Sequence, residues 1–152
     1  MKKQGSRIAE NRRGLFNVAV EDTIEAGIVL SGDEIKSIRA NRAQLTGAYV
    51  RLMYGGKTGM HVLPQVVVVG MHLADAADPT RTRPLLLHKK EVQYLQEQLG
   101  AKGRTAIPTR IYMSHGWAKL QIGIGTGRKS HDKRQLLKER DIDREQRAGL
   151  KG

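Results

Sequence analysis

The chain has 152 residues, enough for one domain with short extensions, and no apolar run of about 18 residues reads as a membrane span or a leader. Lysine and arginine number 27 against 15 acidic residues, and this formal net charge of +12 points to a polyanionic partner, most often nucleic acid. The absence of cysteine excludes a disulfide framework, a thiolate metal site and a cysteine nucleophile.

Residues 1–10 (MKKQGSRIAE) are polar and basic and read as a mobile arm ahead of a folded body over 11–126. In IEAGIVL the residues Ile24, Ala26, Ile28 and Leu30 alternate onto one face, which predicts a strand. SGDEIKSIRAN predicts a helix opened by a capping box, the Ser31 hydroxyl accepting from the Glu34 amide and the Glu34 carboxylate accepting from the Ser31 amide. Ile35 and Ile38 turn inward, Lys36 and Arg39 outward, and Asn41 ends the helix in a left-handed conformation.

AYVRLMY and TGMHVL, separated by Gly55-Gly56, predict a hairpin, and QVVVVGM a short buried strand. ADAADPTRTRP reads as a loop, because Asp78 and Arg83 both precede proline. LLLHKKEVQYLQEQLG runs from a strand into a helix with Val92, Leu95 and Leu99 as its apolar stripe and Gly100 at its C-cap. TAIPTRIYMSHGWAKLQIGIG predicts a second hairpin. Ile107, Thr109, Ile111 and Met113 face one way, and Ala118, Leu120, Ile122 and Ile124 answer across a Ser-His-Gly turn. The fold class expected is mainly β: a small antiparallel barrel with two or three associated helices.

The chain closes on a basic tail, residues 127–152, in which Leu136, Leu137, Ile142 and Leu150 are the only large apolar residues. That is too little to offset the entropy of ordering the backbone, so the tail is expected to be disordered when free and to fold only against a large anion. Gly123, Gly125 and Gly127 read as its hinge.

Candidate chemistry is sparse. GIGTGRKS has Arg128 where a phosphate-binding loop needs glycine, and no crossover helix follows. The histidines at 61, 72, 88, 115 and 131 show no metal-ligand spacing, and no nucleophile, base and acid arrangement is legible, so neither catalysis nor a cofactor is expected. Phe16, Tyr49, Tyr54, Tyr94, Tyr112 and Trp117 are the whole aromatic set and form no visible cluster, which favours grip on folded RNA through phosphates and shape. The cations that recur in loops and at helix starts, among them Arg12, Arg81, Arg83 and Lys89, and Lys36 on a helix face, are the candidate footprint. On residues alone, a generic ribosomal barrel protein and a small nuclease using His and Asp stay open.

Four blocks occur in order: IAENRRG, EDTIEAGIVLSGDEIKSIRANRAQL, DPTRTRPLLLHKKEV and GWAKLQIGIGTGRKSHDKR. Together they resemble the SsrA-binding protein (small protein B) family over roughly residues 8–147. The resemblance implies a barrel related to the oligonucleotide-binding fold. It implies a non-enzymatic, cytoplasmic adaptor that binds the tRNA-like domain of transfer-messenger RNA (SsrA RNA). Partners would be the stalled ribosome and elongation factor Tu, which delivers the aminoacylated RNA, with no membrane involved. The tail would become helical in the empty messenger channel beside the decoding centre.

Carried over by motif, the RNA-contacting residues would be Asn11, Glu25 and Leu86, with Arg12, Lys36, Arg81, Arg83 and Lys89 as accompanying cations. The ribosome-contacting residues would be Gly127, Arg128, Lys129, His131, Asp132, Lys133 and Arg134, with His131 stacking on a base. Leu86 equally reads as a core residue in an apolar run, and Glu25 as a partner that orients an arginine. The chain departs from the family pattern at Gly14-Leu15-Phe16-Asn17-Val18, in VLPQVVVVGMH, at Asn41, and at Pro84, where a customary lysine is missing.

Overall fold

The computed structural model describes residues 7–55 and 63–150. In chain order its elements are β1 (Arg7–Glu10), α1 (Arg12–Asn17), β2 (Val18–Ile28), α2 (Gly32–Arg39), β3 (Ala43–Gln44), β4 (Tyr49–Met53), β5 (Gln65–Val69), β6 (His72–Leu73), β7 (Arg83–Leu86), α3 (Lys89–Gly100), β8 (Arg104–Ser114), β9 (Trp117–Gly127) and α4 (Ser130–Leu150). Seven strands form one sheet in the order β1-β8-β9-β2-β7-β5-β4, and every pairing in it is antiparallel. The sheet curls until β4 lies against β8, which makes the small barrel, while β3 and β6 form a separate two-stranded ribbon.

Alternation decides what the barrel encloses. Ile24, Ala26 and Ile28 of β2 meet Leu120, Ile122 and Ile124 of β9 inside, and Ile38 of α2 and Leu95 of α3 pack onto the same core. The β8–β9 hairpin turns on two left-handed residues, His115 (φ 51°) and Gly116 (φ 79°), the handedness that matches strand twist. A bulge between Pro108 and Arg110 shifts the register of β8. Ala106 and Ile111 therefore both reach the core despite odd spacing, whereas Ile107 and Thr109, expected inside, are buried outside the main cluster.

The helices follow their caps. The capping box of α2 forms, with Glu34 Oε1 accepting from the Ser31 amide at 2.8 Å, and Asn41 is left-handed at φ 59°. In α3, Val92 and Leu95 are buried and Leu99 packs against the core. Gly100 is its last helical residue rather than its cap, and the left-handed glycine is Gly103, which ends the turn into β8.

Three further expectations need correction. Residues 7–10 of the expected mobile arm are strand β1, whose backbone pairs with β8, and residues 1–6 lie outside the described residues. The strand that pairs with β4 is β5, Tyr49 opposite Val69 and Met53 opposite Gln65, where the sequence predicts TGMHVL; residues 58–62 of that segment lie outside the described residues. Gly123 and Gly125 are not hinges but points of close strand approach inside β9: a Cβ on Gly125 would sit 1.9 Å from the Ala19 carbonyl oxygen. Only Gly127, at the end of β9, has open space around it among the three.

Residues 130–150 of the tail form α4, a helix of 21 residues that buries almost nothing. Beyond the pairing of Gly127 with Val18, contacts between the segment and the body involve α1. The Arg128 amide donates to the Asn17 carbonyl at 2.8 Å, and the Arg140 guanidinium lies 5.4 Å from the centre of the Phe16 ring.

Candidate nucleic-acid interface

Period-two geometry gives the barrel an outward-facing groove. Ala26 of β2 and Leu85 of β7 point into the core, so Glu25 and Leu86 point out. Gly27 pairs with Leu86 across the two strands, and the Leu86 side chain lies against it. The start of α3 and the tip of the β8–β9 hairpin complete the walls. The result is a cleft of about 870 Å³, lined among others by Glu25, Val29, Leu86, His88, Glu91, Trp117 and Lys119. Leu86 is 63% exposed, Trp117 72% and Val29 42%, so the core reading of Leu86 is wrong and the cleft has an open apolar surface.

Glu25 is oriented from below, by a tyrosine rather than by an arginine. The Tyr112 hydroxyl donates to Glu25 Oε2. Burial, with the hydrogen bond to this carboxylate and its charge, pushes the Tyr112 hydroxyl up to about 12, so it stays a donor throughout the physiological range. Arg110 stacks on the same ring at 5.4 Å.

A buried ionic cluster braces the wall behind Val29. Arg83 has no exposed surface; its Nε donates to Glu34 Oε2, Nη1 to the Met71 carbonyl at 2.8 Å and Nη2 to the Pro79 carbonyl at 3.0 Å. Arg81 Nη2 donates to Glu34 Oε1 at 2.6 Å and to the Val29 carbonyl at 3.2 Å. Burial alone would raise the Glu34 carboxyl, but hydrogen bonds from Arg81, the Ser31 amide and Arg83 outweigh it and hold it down at about 2.

Two expected RNA contacts are therefore structural. Arg83 is enclosed with its donors used inside the protein, so it cannot reach a phosphate. Asn11 is 1% exposed and caps α1: Oδ1 accepts from the Gly14 amide at 2.9 Å and Nδ2 donates to the Pro108 carbonyl at 2.8 Å. The Arg83 reading came from charge in a loop and the Asn11 reading from the family motif, and burial places both side chains in the frame.

The remaining candidates divide between two places. Glu25 and Leu86 share the groove. Lys36 follows the groove residue Ile35 on α2, Lys89 follows His88 at the start of α3, and both are exposed. Arg81 is partly exposed but already paired with Glu34. Arg12 is exposed on α1, the helix whose Phe16 meets the tail. In the tail, Gly127, Lys129, His131, Asp132 and Arg134 are exposed, while Arg128 and Lys133 are partly covered. Arg128 Nε is buried with no hydrogen-bond partner. Trp117 and Tyr112 escaped the sequence reading. Ala118 and Leu120 facing inward put Trp117 outward by parity, so its exposure was legible; the Tyr112 bond to Glu25, 87 residues away, was not.

Among the described residues no three His, Asp or Glu side chains come together as metal ligands, and no helix is long and apolar enough to cross a membrane. The architecture and site define a class: a small single-domain antiparallel barrel with an apolar, carboxylate-bearing groove on its flank and a charged helical extension. The family model described as SmpB protein matches residues 8–152, and the chain belongs to that family. It is 41% identical over 151 residues to the SsrA-binding protein of an Exiguobacterium species, covering 95% of this chain and 91% of the relative. It is 40% identical over 148 residues to that of Leuconostoc mesenteroides, covering 95% and 94%. A solved chain described under "tmRNA-SmpB: a journey to the center of the bacterial ribosome" is 34% identical, with a TM-score of 0.62 over 80% of this chain and 85% of that one.

Proposed function

We propose that this protein binds the tRNA-like domain of transfer-messenger RNA through its barrel and brings it to stalled ribosomes, acting without catalysis in the cytoplasm. The observation that carries the reading is the groove, which unites Glu25 and Leu86 on one open surface of a chain whose relatives are SsrA-binding proteins. Lys36 and Lys89 beside it supply phosphate contacts, while Arg83 and Asn11 hold the frame that carries them. Delivery of the aminoacylated RNA involves elongation factor Tu.

Residues 127–152 form a functionally separate unit that occupies the empty messenger channel near the decoding centre. Its charge and near-complete exposure support this, since ribosomal RNA would supply the surface the tail lacks on its own. His131 there stacks on a base, and Arg128, Lys129, Lys133 and Arg134 meet phosphates.

Competition tests the body. The labelled tRNA-like domain should be retained against an excess of bulk ribosomal RNA fragments. Glu25→Ala should weaken its binding by about 1–3 kcal/mol at an unchanged melting temperature, because an oriented acceptor is lost from the surface. Equal displacement by bulk RNA would make the protein a general ribosomal binder, and an unfolded Glu25→Ala would make Glu25 structural.

A further inference from the structure

A second cleft lies across α3 from the groove. It opens between β4 and the C-terminal half of the helix, encloses about 320 Å³, and is lined among others by Tyr49, Arg51, Leu52, Tyr54, Gln96 and Leu99. At about 100° per helical residue, Gln96 and Gly100 stand roughly 140° and 180° around α3 from the groove residue Glu91. Val92, Leu95 and Leu99 fall between these directions and hold the helix to the core. The helix therefore separates the two clefts, and an RNA seated in the groove leaves this one open.

Its chemistry also differs from that of the groove. Leu52 and Leu99 pack against the core and give it an apolar floor. Tyr49 and Tyr54 are exposed above that floor, and Gln96 Nε2 donates to the Tyr54 hydroxyl at 3.3 Å, which ties this ring to the helix. Alternation along β4 turns Arg51 outward with Tyr49. Among the described residues that line the cleft Arg51 alone is ionised, whereas the groove carries the carboxylates Glu25 and Glu91. Two open aromatic faces beside one cation are complementary to a flat base and its phosphate. An acidic peptide would satisfy Arg51 but offers the tyrosines no flat face, and a second copy of this chain would bring a further charge of +12 against the same cation. We infer that this cleft takes an unpaired nucleotide of ribosomal RNA, its base against Tyr49 and Tyr54 and its phosphate on Arg51, while the groove holds the tRNA-like domain. The inference rests on the proposed function, which brings the loaded protein to the ribosome, and adds a contact made there by the barrel.

The chain has four tyrosines, so the full chain carrying 3-fluorotyrosine reports the site by fluorine resonances, assigned by replacing each tyrosine singly with phenylalanine. With the tRNA-like domain already bound, a short oligoadenosine, and at lower concentration fragments of ribosomal RNA, should shift Tyr49 and Tyr54 but not Tyr94 or Tyr112. Followed at Tyr49, Tyr54→Ala should weaken oligoadenosine binding about ten-fold, and Tyr54→Phe should recover most of it. Gly100→Leu should block the cleft, because a Cβ there meets no atom within 4 Å and the added bulk enters open space. These variants should bind the tRNA-like domain as the unaltered chain does. Melting temperatures check folding, and Gly100→Leu carries the test if Tyr54→Ala does not fold. Unmoved Tyr49 and Tyr54 resonances at saturating RNA would overturn the site and leave the proposed function standing, as would equal shifts from polyglutamate. Movement of Tyr54 by the tRNA-like domain alone would give the cleft to the RNA already in the groove and overturn its assignment to ribosomal RNA. Loss of selectivity for the domain over bulk RNA, read separately by competition, would sink the proposed function itself.

Discussion

The barrel and the tail carry similar kinds of charge and use them in opposite ways. In the barrel, cations and carboxylates are spent on one another: Glu34 accepts from Arg83, which has no exposed surface, and from Arg81 at its edge. In α4, Lys133, Arg134, Lys138, Arg140, Arg144 and Arg147 alternate with acidic residues, and the helix faces water nearly all round. A helix without an apolar stripe owes its order to local propensity and spaced charge pairs, each worth only a few tenths of a kcal/mol. The difference teaches which half of the molecule stores its own stability and which half depends on a partner.

Removing the tail should separate the two most sharply. A chain ending at Lys129 keeps β9 and the Arg128–Asn17 bond, so the barrel should retain its unfolding free energy within about 0.5 kcal/mol and still bind the tRNA-like domain. Peptide tagging on stalled ribosomes should be lost. Ile142→Pro separates order from charge, because proline inside a helix costs about 3 kcal/mol while every charge stays in place. Tagging failure with normal RNA binding shows that the helix is required; normal tagging shows that charge alone suffices. Circular dichroism of the free chain before and after truncation decides when α4 forms: loss of a 21-residue helical signal means that it is helical when free, and an unchanged signal means that it folds on its partner.

The barrel should break elsewhere. Glu34→Ala leaves Arg83 buried without its carboxylate, and such a charge destabilises by about 3–5 kcal/mol, a large share of the stability of a small domain. Acid should trace the same bond. The Glu34 carboxyl is held at about 2 against an ordinary 4.5, so its contribution is complete above about pH 4.5 and declines as pH falls toward 2. The loss over that window amounts to about 3 kcal/mol, read as a falling urea midpoint. Glu34→Gln should be less stable at neutral pH and much flatter below pH 4.5. Equal slopes for the two proteins would show that the cluster does not depend on the Glu34 charge.

Much of this was legible in the sequence because it is local. The capping box at Ser31 and Glu34, the stripe Val92, Leu95 and Leu99, and the alternation of β2 are set within a few residues, and all appear where expected. What was hidden depended on partners far along the chain. Arg81 and Arg83 look alike in TRTR, and the fate of Arg83 follows from Glu34, 49 residues away. Asn11 looks like a polar surface residue until its amide reaches the Pro108 carbonyl, 97 residues on. The bulge at Pro108 changes the phase of β8 without any change in composition. Residue type reports what a side chain can do; burial decides whether it does so for the fold or for a partner.

The smallest effects should come from single surface cations, and they test whether the two halves really divide the work. If the barrel grips the RNA domain mainly through phosphates, log affinity should fall with log salt at a slope of about −3 to −5, corresponding to roughly four to six neutralised phosphates. Lys89→Ala and Arg12→Ala should each flatten that slope by about one, since both side chains are exposed and neither is part of the buried cluster. Arg81→Ala should flatten it less, because Glu34 already holds that guanidinium, and it should cost some stability instead. The chain ending at Lys129 should show the full slope. If truncation flattens it more than any barrel substitution, the tail is gripping the same RNA as the barrel, and the assignment of barrel to transfer-messenger RNA and tail to ribosome fails.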